Sequence, residues 1–282
     1  MPDHPVDRPP RTAFVLGGGG VLGAHEVGML QALLEAGVVP DLVVGTSVGA
    51  INGAVVAADP RPTAVAGLLE LWRGIGRDDV FGGSLLTRIS TIARTGTHLH
   101  DNGPLRALLR GHLGDARIED LAVPFQCVAA SIEAAGPHWF SRGPLVDAVL
   151  ASSAVPGLLP PVEVDGEHFF DGGLVNSIPV GRAVALGATT VYVLQVGRVE
   201  RPLTPPTRPW EVGVVAFEIA RRARFVEEMR DLPPHVIVHV LPSGDPPAND
   251  LSQLRYRDFS RVGERIATAY RAAAAYLSEV GV

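Results

Sequence analysis

Lysine is absent from this 282-residue chain; all 24 basic residues are arginine. With Ala, Gly, Pro and Val so abundant, the plain source of that bias is base composition. The absence still has a consequence: a phosphate-binding P-loop needs Gly-Lys-Ser/Thr, and no such tripeptide exists here. Cysteine is nearly absent too. The single Cys127 excludes an internal disulfide, and its apolar neighbours mark it as a small buried hydrophobe rather than a nucleophile. Positive charge is in deficit, with a net charge of −6, so there is no global basic footprint for nucleic acid. Long apolar runs are missing as well. The longest stretch without a charged residue, Leu42 to Ala58, is broken by Asn52 and several glycines, and is shorter than the ~20 residues of a spanning helix. Residues 1–11 are Pro-rich and charged, with no apolar segment of the secretory kind, and read as a flexible tail. A soluble, cytoplasmic protein is the expectation. Hydrophobic residues at 46% against 19% charged exclude a disordered chain, and residues 12–282 suit one α/β domain.

What is present is organised around residues 41–54. Leu42, Val43 and Val44 form a short apolar strand that runs into Gly45-Thr46-Ser47-Val48-Gly49 and then a helical stretch. This is Gly-x-Ser-x-Gly in the strand–turn–helix context of a nucleophile elbow. The turn must expose the Ser47 hydroxyl, and Gly45 and Gly49 are small enough to let strand and helix pass closely. The following helix points its free N–H groups and positive dipole end at the Ser47 region. Alone, the pattern recurs by chance; its neighbours give it weight.

Upstream, Thr12 to Leu16 reads as a strand, Gly17 to Gly20 as a turn, and Gly23 to Ala36 as a helix that stops at Gly37. The first 58 residues therefore make a β-α-β-α unit, which predicts a mostly parallel sheet covered by helices on both faces. Gly18-x-Gly20-x-x-Gly23 formally matches a dinucleotide fingerprint, but that motif wants an acidic residue at the end of the second strand, and Asp41 stands at its beginning. No nucleotide is expected. The better use of Gly18, Gly19 and Gly20 is as backbone: successive N–H groups at a helix N-terminus form an anion-binding concavity. Beside the elbow, they would make an oxyanion hole.

The remainder supplies one more chemical feature. Residues 77–102 suit either a cap over the site or a plain helical connection, and His98 and His100 read as surface residues too isolated for a metal site. No metal or cofactor is expected. Val123 to Ala130 reads as a buried strand with His138 to Phe140 as its hairpin partner, and Pro144 to Ser153 as a helix. Then His168-Phe-Phe-Asp171-Gly172-Gly173 places a carboxylate on a Gly-Gly turn. Such a turn is usually only a turn; here Asp171 is the best available partner for Ser47. Thr189 to Val196 is a further strand. The cluster Arg221-Arg222-Ala-Arg224, placed at the end of a helix, reads as a solvated face, with weak attraction to anionic lipid as the alternative. Val236 to Leu241 is the last strand, read as central and carrying His239; Ser260 to Leu277 is a closing helix.

In this order, the Gly-rich loop, the Gly-x-Ser-x-Gly elbow and Asp171-Gly-Gly resemble the patatin-like phospholipases, more narrowly the bacterial proteins related to neuropathy target esterase. The resemblance covers residues 12–196, and Ala151-Ser-Ser-Ala-Val-Pro156 is similar as well. It implies a three-layer α/β/α fold and a lipid or acyl-ester substrate, with peripheral contact with membranes an open further expectation. It also implies a Ser–Asp dyad without histidine: Ser47 as nucleophile, Asp171 as base, and the Gly18–Gly20 loop as oxyanion donors. One departure is Leu22, where the family carries Arg or Lys before the last loop glycine; this weakens the case for anionic head groups. The rival within hydrolases is a triad using His235 or His239. The rival outside them is a non-catalytic lipid- or acyl-binding module.

Overall fold

The computed structural model describes residues 11–75, 97–196, 202–207, 209–244 and 261–282. Most of the stretch considered as a cap lies outside the described residues. Strands β1 (Thr12–Leu16), β2 (Leu42–Thr46) and β3 (Phe125–Ser131) alternate with helices α1 (Ala24–Glu35), α2 (Val48–Ala58), α3 (Ala64–Ile75) and α4 (Gly103–Leu113). There follow β4 (Gly136–Phe140), α5 (Leu145–Ser152), β5 (Val162–Val164), β6 (Glu167–Asp171), α6 (Val180–Ala185) and β7 (Thr190–Leu194). Helix α7 (Pro209–Arg230), β8 (Ile237–Val240) and α8 (Val262–Glu279) complete the chain.

The strands form one eight-stranded sheet in the order β5-β6-β3-β2-β1-β7-β8, with β4 paired to β3 off this path. The ladders from β3 through β2, β1 and β7 to β8 are parallel, and those joining β4, β5 and β6 are antiparallel. Alternation along β1 explains the layering. Phe14 and Leu16 face one apolar core with residues of α1 to α5 and α8, whereas Ala13 and Val15 face a second with α6 and Phe225 of α7. A strand buried on both faces must be apolar throughout, which is why Thr12 to Leu16 shows no polar alternation. Helix α1 packs closely on α8, where a Cβ on Gly28 would lie 2.2 Å from the Ile266 carbonyl oxygen.

Three expectations need correction here. Arg11 does not belong to a loose tail: its backbone bonds Thr189 and Thr190, and its guanidinium donates to the Leu186 carbonyl at 2.8 Å. His100 is buried rather than on the surface, its N–H donating to the Leu158 carbonyl. Among the described residues the last strand is an edge strand, not a central one, because β8 ends the sheet order beyond β7. Cys127 is fully buried, and desolvation pushes its thiol pKa up, so it stays protonated.

Candidate active site

The sheet itself brings Ser47 and Asp171 together. One edge of β3 is occupied by β4 from Cys127 to Ser131. Both β2 and β6 must therefore share the other edge. Strand β2 climbs that edge parallel to β3 until Thr46 stands opposite Val128, and β6 descends it antiparallel until Asp171 stands opposite Ala129. The two strands meet head to head, and the residues that leave their ends are Ser47 and the Gly172-Gly173 turn. A separation of 124 residues closes to a hydrogen bond: Ser47 Oγ donates to Asp171 Oδ2 at 2.6 Å.

Both partners are held by backbone. Ser47 has φ 54° and ψ −125°, a conformation that costs a non-glycine residue about 1–3 kcal/mol. It persists because its surroundings fix it. The Ser47 N–H donates to Ser152 Oγ at 2.9 Å, and its carbonyl accepts from Ala50 and Ile51 in the first turn of α2. That turn lies hard against β1: a Cβ on Gly49 would approach the Leu16 carbonyl oxygen to 2.4 Å, and one on Gly45 the Gly49 carbonyl to 2.5 Å. Asp171 donates its N–H to the Ala154 carbonyl at 2.9 Å, and its Oδ1 accepts from Gly173 N at 2.7 Å. Gly172 packs so closely on β3 that a Cβ would lie 2.1 Å from the Val128 carbonyl oxygen.

Asp171 is 6% exposed and Ser47 7% exposed. Burial raises the Asp171 pKa from 3.8 to about 6, opposed by the hydrogen bonds from Ser47 and Gly173, which favour the carboxylate. Near neutral pH Asp171 is thus an ionised carboxylate close to its pKa, which is where a proton acceptor works best.

The Gly-rich loop lies against Ser47. A Cβ on Gly18 would sit 3.4 Å from Ser47 Cβ, and one on Gly23 would collide with Val48. Gly18 N–H, however, already donates to the Ser177 carbonyl at 2.9 Å, so it is committed to structure and not aimed at a substrate. Gly20, with φ 56°, turns the loop into the short 3-10 segment Gly20–Gly23 ahead of α1. Leu22 N–H bonds the Gly19 carbonyl, and the Leu22 carbonyl accepts a contact from His25 Nδ1.

Several supporting residues had no clear sequence signal. Ser152, in the Ala151-Ser-Ser-Ala-Val-Pro156 motif, accepts the Ser47 N–H, a role that nothing in the motif itself indicates. Asn52, read only as an interruption, is fully buried: its Nδ2 donates to the Gly23 carbonyl and Glu26 Oε2, while its Oδ1 accepts from Trp72 Nε1. It ties the loop's end to α2 and α3. Burial raises the Glu26 pKa well above its ordinary value. In the arginine cluster Arg224 is exposed as expected, but Arg221 is not. The cluster lies within α7 rather than at its end, and Arg221 is 5% exposed, not solvated.

The residues of the rival triad lie elsewhere. His235 is exposed, and His239 on β8 stacks on Tyr192 and contacts the Tyr276 hydroxyl at 3.0 Å. Asp41, the acid of the dinucleotide alternative, accepts from Thr12 N at 2.8 Å and locks the entry of β1.

The fold and site define a three-layer α/β protein with a buried serine–carboxylate pair at the end of a parallel strand. Residues 14–184 match the model of the patatin-like phospholipases, and the chain belongs to that family. It is 32% identical over 187 residues to the lysophospholipase nte1 of Aspergillus terreus, covering 66% of this chain but 12% of that protein. It is 31% identical over 230 residues to an NTE family protein of Mycobacterium bovis, covering 79% of this chain and 58% of the relative. Among solved structures it is similar to VipD from Legionella pneumophila, at 14% identity and a TM-score of 0.46, over 96% of this chain and 67% of that one. Among the described residues no helix is long and apolar enough to cross a membrane.

Proposed function

We propose that the protein is a serine acyl hydrolase acting on lipid esters, with Ser47 as nucleophile and Asp171 as its base. The observation that carries this reading is the 2.6 Å bond from Ser47 Oγ to a buried carboxylate whose pKa is raised to about 6. Ser47 Oγ attacks the ester carbonyl carbon as its proton passes to Asp171. The oxyanion is received by the N–H groups of Gly19 and Gly20 and by the positive end of α2; Gly18 drops out of the donor set because Ser177 holds its N–H. The C–O bond to the leaving alcohol breaks as Asp171 returns the proton. Water then attacks the acyl carbon, losing a proton to Asp171; the bond from that carbon to Ser47 Oγ breaks as Asp171 returns the proton to Oγ, releasing the fatty acid and the free serine.

The lysophospholipase name of the fungal relative and the apolar surroundings of the turn favour a lipid substrate. Val155 and Leu174, which flank the Asp171 segment, are exposed, and Phe217 of α7 lies over Gly173. They suit contact with acyl chains or a lipid surface. Leu22 leaves the loop without a cation, so a neutral ester or lysolipid fits as well as an anionic phospholipid. The test is fatty acid release from lysophosphatidylcholine and from neutral esters by the wild type, Ser47→Ala and Asp171→Asn. A loss of about 10³-fold or more in both variants is expected. Hydrolysis persisting in Ser47→Ala would remove the assignment, and lipid binding without turnover in the wild type would favour a non-catalytic acyl-binding module.

A further inference from the structure

A buried arginine from outside the family-matched segment bonds both segments that flank the Gly-rich loop. Arg221 of α7 is buried, and its guanidinium is used in every direction. Nε donates to Ser177 Oγ at 3.1 Å, one terminal nitrogen donates to Val196 O at 2.7 Å and reaches Gln195 Oε1 at 3.5 Å, and the other is paired with Glu218 at 3.1 Å. Ser177 and Val196 belong to the two segments between which the loop runs. Gly17 N–H donates to the Leu194 carbonyl on one side, and Gly18 N–H donates to the Ser177 carbonyl on the other. The fit is close: a Cβ on Gly18 would lie 3.2 Å from Ser177 Oγ, and one on Gly19 would lie 1.9 Å from Val196 Cγ2.

We infer that Arg221 is a positioning residue for acyl transfer: by bolting Ser177 to the Gln195–Val196 segment, it fixes the slot in which Gly17 to Gly19 lie. The oxyanion donors follow the slot. Only a planar fork does this, because one guanidinium reaches two segments and an acid at once, whereas a lysine ammonium is a point charge on a flexible stem. The pair with Glu218 keeps the buried charge compensated. The inference rests on the hydrolase reading above and deepens it.

The test is the rate of Ser47 labelling by a fluorophosphonate, together with kcat and KM for a soluble p-nitrophenyl ester. Ser177→Ala cuts one arm of the tie by removing the acceptor of Arg221 Nε, and its rates are read on the folded fraction. The double variant Arg221→Met with Glu218→Gln removes the fork without leaving a buried charge alone. Arg221→Lys keeps only the charge, and Phe225→Ala loosens the same helix from its core without touching the tie. A misplacement near 1 Å costs about 10²-fold, so labelling and kcat should fall about ten- to hundred-fold in the double variant. Ser177→Ala should fall part of the way, Arg221→Lys should fail to restore the rate, and KM should change little. Phe225→Ala should label at the wild-type rate. Wild-type labelling in the folded double variant, full rescue by lysine, or equal slowing in Phe225→Ala would each overturn the inference. Absence of label on wild-type Ser47 would instead overturn the hydrolase reading and take this inference with it.

Discussion

Replacing Asp171 by asparagine should make the protein inactive and, above pH 6, more stable. The folded-state pKa of Asp171 is about 6 against an ordinary 3.8, a rise of 6 − 3.8 = 2.2. At about 1.36 kcal/mol per unit, the ionised carboxylate costs the fold about 3 kcal/mol. The sign follows from proton binding. Between pH 3.8 and 6 the folded state keeps a proton that the unfolded chain has lost, so stability from this group is complete below 3.8 and is lost as pH rises through 6. Asparagine does not titrate, and whatever its amide loses in hydrogen bonds is the same at every pH. The stability of Asp171→Asn relative to wild type should therefore increase by about 2 kcal/mol from pH 4.5 to 7.5, most of the full amplitude. Urea unfolding at the two pH values measures this directly. A difference that does not vary with pH, or that runs the other way, would show that Asp171 is not strained by burial and is no poised base. A variant more stable yet inactive at pH 7.5 would be an instance of stability given up for chemistry.

Other expectations follow from the same geometry. In a pH profile of kcat/KM on a neutral ester, activity should fall below an apparent pKa of about 6 as Asp171 is protonated; a limb near 4 would contradict its burial. Ser152→Ala leaves the Ser47 N–H unpaired in a buried site and should destabilise by about 1–3 kcal/mol while slowing Ser47 acylation, as read by thermal melts and labelling rates. Two glycines should behave oppositely in circular dichroism melts. Gly172→Ala drives a Cβ to 2.1 Å from the Val128 carbonyl oxygen and should disrupt the fold. Gly67→Ala, in α3 with nothing within 4 Å, should stabilise by up to about 1 kcal/mol.

The reach of the sequence was set by how locally each feature is encoded. Thr12 to Thr46 could be read because a doubly buried strand, a Gly-rich turn and a periodic helix each leave a mark within a few residues. The Gly-x-Ser-x-Gly elbow and Asp171-Gly-Gly were legible because close backbone approach admits only glycine there. The head-to-head meeting of β2 and β6 on one edge of β3 is a property of three strands, and no short pattern states it. Ser152 and Arg221 escape for a related reason: each acts through hydrogen bonds to residues far off in the chain, 105 residues away for Ser152 and 44 for the Arg221 bond to Ser177. A cluster of arginines on a helix is usually wet, and nothing local told that Arg221 faces Ser177. Loop glycines look alike in sequence, so nothing local separates Gly18 from Gly19 and Gly20; the Ser177 carbonyl does. Valines alternating around His239 suggest a central strand, but an edge strand covered by α8 produces the same pattern.

The most direct measurement is reaction with a fluorophosphonate, mapped by peptide mass spectrometry, on the wild type and on Asp171→Asn at pH 7.5. It reports the activated serine without a guess at the lipid. The geometry predicts label on Ser47 alone, lost or strongly slowed in the variant. Label elsewhere, or equal labelling of Ser47 in folded Asp171→Asn, would contradict the pairing of Ser47 with Asp171 as nucleophile and base.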